Sequence, residues 1–138
     1  MHAAFDRLAA RYNPIVMEGA GSISELNLRD VDLVNLPMAR YADASVLLVA
    51  DIDRGGVLAC LYGTWALLEE ADRALLRGYV INKFRGDQAV LAPGLDELTR
   101  RTGLRNYGVL PWLADVWLDG EDALTIGSRA LRPGTGVL

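Results

Sequence analysis

Four short apolar runs in this sequence each end in residues equipped for chemistry. Residues 15–17 end in Glu18, followed by Gly19-Ala20-Gly21-Ser22. Residues 46–50 end in Asp51-Ile52-Asp53-Arg54-Gly55-Gly56. Residues 79–81 end in Asn82-Lys83, and residues 107–110 in Pro111-Trp112. A carboxylate leaving an apolar strand, as Glu18 does, suits a hard cation such as Mg²⁺, which takes one or two carboxylates plus substrate phosphates. It equally suits a strand-end residue accepting bonds from the amides of residues 19–22. Gly19 and Gly21 let the backbone approach an anion closely. Asp51, Asp53 and Arg54 form the densest polar cluster. The helix predicted after them would aim free N–H groups and its positive dipole end at this loop, worth roughly 0.3–1 kcal/mol per nearby anion. Asp53 as a helix cap is the plainer reading, but it leaves Asp51 and Arg54 unexplained. Asn82 offers an amide donor and acceptor to a purine edge, with the Lys83 stem along the ring. An ordinary polar pair in a surface loop explains the same two residues. Trp112 either flanks a planar ligand or covers the edge of the core.

Missing residues narrow the chemistry. The dinucleotide fingerprint G-x-G-x-x-G fails, because Ser24 stands where its third glycine belongs. The phosphate loop needs a lysine followed by a hydroxyl residue; Lys83 is the only lysine, and Phe84 follows it. If the chain serves a nucleotide-binding enzyme, the first strand and its loop are expected to be missing from it. The single cysteine, Cys60, excludes an internal disulfide and a Cys-rich zinc site. The single histidine, His2, sits at an end expected to fray, which excludes a His-based triad or a two-His metal site.

The elements that must position these groups follow from periodicity. Phe5, Leu8 and Tyr12 recur at helical spacing until Pro14 stops them. Residues 24–32 are polar without a period, and residues 36–42 suit a short helix. Residues 46–50 read as a strand buried on both faces. A buried helix is predicted over residues 57–68, with Cys60, Tyr62 and Trp65 in the core, and residues 71–76 continue or follow it. Leu91, Leu95 and Leu98 mark another helix, with Gly103 as its stop. Strands are predicted at residues 15–17, 46–50, 79–81 and 107–110. Helices alternating with strands imply a mostly parallel sheet with helices on both faces. In such an α/β sheet, ligands bind beyond the carboxyl ends of the strands.

The chain has 138 residues, 51% apolar and 23% charged, as in an ordinary folded domain. Burial of roughly 68% of the unfolded surface supports a core at this size. Lys and Arg total 14 against 18 Asp and Glu, for a net charge of −4. That balance argues against a nucleic-acid partner. The apolar runs fall far short of the ~20 residues of a membrane span, and the start lacks a signal-type block. A cytoplasmic protein is expected.

The loop sequences resemble a known family. VMEGAGSISELNL (residues 16–28), LLVADIDRGGVLACLYGT (47–64), GYVINKFRGD (78–87), PGLDELTRRTG (93–103) and GVLPWL (108–113) occur in this order. Together they resemble the synthetase domain of the cobyric acid synthase family, glutamine-dependent amidoligases of cobalamin biosynthesis. DGEDAL (119–124) resembles the stretch that closes that domain. The blocks DIDRGG and NKFRGD are specific to this family, whereas EGAG is shared with dethiobiotin synthetase and cobyrinic acid a,c-diamide synthase.

The resemblance implies an incomplete phosphate-loop NTPase fold similar to dethiobiotin synthetase. It implies a partial synthetase domain over residues 1–124 and a tail or linker over residues 125–138. The implied reaction uses ATP and Mg²⁺ to activate peripheral carboxylates of adenosylcobyrinic acid a,c-diamide, with ammonia supplied by a separate glutaminase domain. Glu18 matches the magnesium-associated glutamate, and Gly19 and Gly21 the loop near the γ-phosphate. Asn82 matches an adenine-reading position, with Lys83 beside it, and Pro111 lies in the loop lining the base pocket. Asp51, Asp53 and Arg54 are the candidates for organising the corrinoid carboxylate. Ile23-Ser24 stands where the family more often has Pro-Ala. Without a phosphate loop or glutaminase domain, residues 1–138 alone are expected to be inactive in amidation. Two other readings are a non-catalytic docking or homodimerisation module and an ATPase switch of the partition-protein type.

Overall fold

The computed structural model of the chain describes residues 1–114. The stretches 119–124 and 125–138 lie outside the described residues. Helix α1 covers His2–Ala9, and a 3₁₀ helix covers Leu26–Val31. Helix α2 (Leu36–Tyr41) starts with Pro37 in its first turn, where a missing N–H costs nothing. Strand β1 (Val46–Asp51) leads through a 3₁₀ turn at Ile52–Arg54 into helix α3 (Val57–Leu67). Then follow α4 (Glu70–Arg73), β2 (Leu76–Phe84), α5 (Gln88–Thr102) and β3 (Arg105–Pro111).

The three strands form a parallel sheet in the order β1-β2-β3. Leu48 pairs with Tyr79 and Ala50 with Ile81, and Ile81 pairs in turn with Val109. The α/β class and the parallel sheet are as predicted, with α3 and α5 both on one face of the sheet. Helix α3 packs on β1, α5 on β3, and the two helices on each other. Their apolar stripes and one sheet face share a single core that includes Ala50, Val57, Leu61, Tyr79, Ile81 and Leu98. Tyr79 is fully buried, and its hydroxyl donates to the Leu95 carbonyl at 3.2 Å, so the core contains no orphaned phenol. Helix α5 is closed at both ends, the second of them at the predicted Gly103. The Asp87 carboxylate caps the Ala89 N–H, Arg100 and Arg101 lie in the last turn, and Gly103 takes the left-handed conformation beyond it.

The fold departs from the sequence-based expectations in four places. Residues 15–17 form no strand, and Val16 is 91% exposed. A strand exists only where a neighbour completes its ladder, and β1 pairs only with β2 among the described residues. Strand β2 extends six residues beyond the predicted 79–81, because ladders on both sides carry the polar Asn82 and Lys83 into it. Cys60 and Tyr62 are exposed rather than core. Only the stripe Val57, Leu61, Thr64 and Leu68 faces inward, as a 3.6-residue period dictates. Trp65 packs at the margin of the core. Finally, His2 is not frayed: it opens α1 and stacks on Tyr41, ring centroids 3.7 Å apart. The opposite sheet face carries exposed Leu47, Val49, Tyr107 and Leu110. No helix among the described residues is long and apolar enough to cross a membrane.

Candidate functional site

The carboxyl ends of the three strands bring two sequence blocks together. Asp51, the last residue of β1, stands beside Asn82 in the ladder, and Phe84 stands beside Pro111. Lys83 donates its Nζ to Asp51 Oδ2 at 2.6 Å. Two residues further along each block, Arg85 donates to Asp53 Oδ1 at 3.0 Å. Asp-x-Asp on one segment thus meets Lys-x-Arg on the next. The hydrogen bond from Lys83, and then that from the Asp53 N–H, holds the Asp51 carboxyl below its usual range, helped by the charges of Lys83 and Arg54.

Each member of the first block has a local task. Asp51 Oδ1 accepts the Asp53 N–H at 2.9 Å and caps the 3₁₀ turn. Asp53, expected as the cap of α3, instead faces Arg85; Gly56 occupies the cap position. Gly55 and Gly56 have φ of 74° and 65°, left-handed conformations that turn the chain from the strand end into the helix. Arg54 is exposed and forms no ion pair among the described residues.

The second block is equally specified. The Lys83 N–H donates to Asn82 Oδ1 at 2.8 Å, and Lys83 has φ of 62°, uncommon for a residue with a side chain. Asn82 therefore turns its amide oxygen to its own neighbour, and its Nδ2 makes no hydrogen bond among the described residues. Trp112 continues the β2–β3 ladder, its N–H donating to the Phe84 carbonyl at 2.8 Å. The indole thereby lies next to Arg85, whose guanidinium sits 3.8 Å from the ring centroid. Contact with a cation of the chain itself thus joins the two readings of Trp112.

Glu18, Gly19 and Gly21 lie in the loop that precedes the first 3₁₀ helix. No hydrogen bond or ion pair among the described residues joins them to the strand ends. The side chain of Asn35 clamps this loop: its Oδ1 accepts the Ala20 N–H at 3.0 Å, and its Nδ2 donates to the Ala20 carbonyl at 2.8 Å. Asp32 Oδ1 accepts the Val34 and Asn35 N–H groups and so shapes the turn carrying Asn35. A Cβ at Gly19 would collide with Asn35 Oδ1, which explains the glycine there. Under the loop lies a cavity of about 380 Å³, whose lining includes Gly21, Arg29, Asn35, Arg40 and Asp72. Glu18 itself is exposed. No group of three or more His, Cys, Asp or Glu residues able to hold a metal exists among the described residues. One free carboxylate fits Mg²⁺ only where phosphates and water supply the remaining ligands.

Sequence reasoning missed Arg85 and Asn35. The signal for Arg85 was available: its spacing from Lys83 repeats the spacing of Asp53 from Asp51. Asn35 had a weaker one, a turn-forming residue just ahead of a Pro-started helix.

The profile of the AAA domain family matches residues 1–117. The cobyric acid synthase of Cutibacterium acnes is 62% identical over 125 residues, covering 91% of this chain and 26% of its own length. That of Mycolicibacterium vanbaalenii is 60% identical over 134 residues, covering 96% and 27%. That of Bacteroides fragilis is 54% identical over 136 residues, covering 99% and 28%. The chain thus spans about a quarter of the length of these curated relatives. No solved structure matches it. With its parallel sheet and its loops at the strand ends, the chain belongs to the AAA domain family, a phosphate-loop-type α/β fold, and its sequence groups with the cobyric acid synthases.

Proposed function

We propose that this chain is part of the synthetase domain of an ATP- and glutamine-dependent amidoligase of cobalamin biosynthesis. The supporting observation is the joining of the DIDRGG and NKFRGD blocks at the strand ends, in a chain 54–62% identical to cobyric acid synthases. The substrate is a corrinoid with peripheral carboxylates, adenosylcobyrinic acid a,c-diamide. The γ-phosphoryl of ATP passes to a carboxylate oxygen and ADP leaves. Ammonia from a glutaminase domain then attacks the acyl carbon, inorganic phosphate departs, and the amide remains. Such a reaction depends on positioning and charge neutralisation. Mg²⁺, when bound with the nucleotide, neutralises phosphate charge, and Glu18 is its protein ligand. Gly19 and Gly21 lie near the γ-phosphate, Asn82 and Lys83 at the base, and Pro111 in the base pocket. Asp51, Asp53 and Arg54 organise the corrinoid carboxylate. The reading is that of a cytoplasmic enzyme without nucleic-acid or membrane partners. Residues 1–138 alone should not amidate.

Exchange of segments tests this reading. The matching 125 residues of the Cutibacterium acnes enzyme are replaced by those of this chain, and corrinoid products are resolved by mass and charge. Formation of the fully amidated product is expected. An exchanged enzyme that folds and binds ATP but leaves the carboxylates unmodified would falsify the proposal.

A second reading is favoured by the exposed Leu47 and Val49 on one sheet face and by the edge of β1 that has no partner strand among the described residues: a docking or homodimerisation module. Light scattering tests it, and a monomer at all concentrations removes it.

A further inference from the structure

We propose that Arg85 is the oxyanion receptor of the strand-end site, the residue that selects a carboxylate or phosphate of the ligand. The identity of that ligand rests on the ligase reading; the receptor chemistry does not. Arg85 follows β2 and is held from two sides by two other segments. Asp53, from the turn after β1, takes one N–H at 3.0 Å. Trp112, just after β3, lies flat-on at 3.8 Å from the guanidinium carbon. These contacts hold the guanidinium between two segments and leave the other N–H groups without a partner among the described residues. The side chain is 55% exposed, so those donors reach solvent.

A planar fork stacked on an aromatic ring and held between two segments is the arrangement that reads oxyanions in two-point fashion. The Asp53 contact does not cancel it. It uses a single carboxylate oxygen and is an exposed pair, the kind that contributes little. The local charge also favours an anion: Lys83, Arg54 and Arg85 face Asp51 and Asp53, three cations to two carboxylates. Finally, the position is the carboxyl end of a parallel sheet, where ligands of such folds bind. The donor edge of Arg85 is thus built before any ligand arrives, and little ordering entropy remains to be lost on binding.

The shared chemistry has two sources, a corrinoid carboxylate or a nucleotide phosphate, and two titrations separate them. The full chain, ¹⁵N-labelled at arginine, is titrated with ATP and magnesium, and separately with adenosylcobyrinic acid a,c-diamide. The Arg85 Nε–H resonance is followed by NMR. One probe should shift it. Arg85→Lys, which keeps the charge and loses the fork, should weaken that probe at least tenfold and leave the other within twofold, with an unchanged circular dichroism spectrum. A response to ATP assigns a phosphate; a response to the corrinoid assigns a carboxylate. Arg85 unmoved by both probes, or Arg85→Lys binding both as the parent does, overturns the proposal. The ligase reading is judged apart. Normal kcat/KM in a segment-exchanged enzyme carrying Arg85→Lys removes the receptor and keeps the ligase. An Arg85 response without amidation by the exchanged enzyme does the reverse.

Discussion

Lys83 reaches Asp51 across the first ladder of the sheet, Nζ to Oδ2 at 2.6 Å, from a backbone in the left-handed region. The two facts pull in opposite directions. A left-handed residue bearing a side chain costs about 1 kcal/mol or more, and such strain persists where the surroundings require it. Glycine there would remove the strain and the amine together. Lys83→Gly is therefore expected to keep thermal stability, or raise it by up to about 1 kcal/mol, while nucleotide affinity in the segment-exchanged enzyme falls at least tenfold. Calorimetric melting and ATP titration measure the two effects. A large drop in Tm would mean that the lysine is retained for stability alone.

The Gly19 loop gives a second prediction. Asn35 makes two hydrogen bonds to Ala20, and Gly19 leaves it the room to do so. Each such bond contributes about 0.5–1.5 kcal/mol. Asn35→Ala should cost about 1–2 kcal/mol, and Gly19→Ala a similar amount by expelling the amide. The double variant should cost scarcely more than either single one, because both remove the same clamp. Urea denaturation of the four chains decides it. Additive losses would show that the two residues act separately.

The sequence alone made the frame of the sheet legible because β1, β2 and β3 are apolar runs whose ends carry polar residues. It also placed α5, through the spacing of Leu91, Leu95 and Leu98 and the stop at Gly103. The missing strand at residues 15–17 shows the limit: an apolar triplet proposes a strand, but only a neighbour's ladder makes one. Cys60 and Tyr62 mark another limit. Helix α3 is apolar on every side, so its composition could not tell which stripe faces the sheet. At the site, types and spacing located Asp51, Asp53, Asn82, Lys83 and Pro111 at common strand ends. They could not reveal that Asp53 would turn from the helix to Arg85. Nor could they reveal that Asn82 would use its oxygen on Lys83. The first depends on a register that two strands set jointly; the second is a local bond that goes with the left-handed backbone at Lys83.

A buried charge supplies a third prediction. The Asp72 side chain is only 9% exposed, and Arg40 is its ionic partner. Removing one partner from a buried pair costs about 3–5 kcal/mol; the half-exposed Arg40 side chain admits water and lowers this to about 2–3 kcal/mol. Arg40→Met should lose that amount in urea denaturation. Arg40→Met combined with Asp72→Leu should recover most of it, because no unpaired carboxylate then remains in the interior. Equal instability of both variants would show that packing, rather than charge, is what matters at this contact. The same pair lines the cavity under the Gly19 loop, so the recovered double variant also separates folding from any ligand effect there.

Acid stability offers the fourth. Hydrogen bonds from Arg100, and then Arg101, lower the Glu97 carboxyl from 4.5 to about 2. The folded value lies below the unfolded one, so folding is favoured by the ionised form. That contribution is complete above pH 4.5, declines as the pH falls towards 2, and is gone below. Glu97→Gln abolishes it at every pH. The difference in urea midpoint between parent and variant should thus be constant from pH 7 to 5, shrink between 4.5 and 2, and vanish at lower pH. Both partners are at the surface, so high salt should shrink the plateau. A difference that persists unchanged at pH 2 would assign it to lost packing of the Glu97 stem instead of its charge.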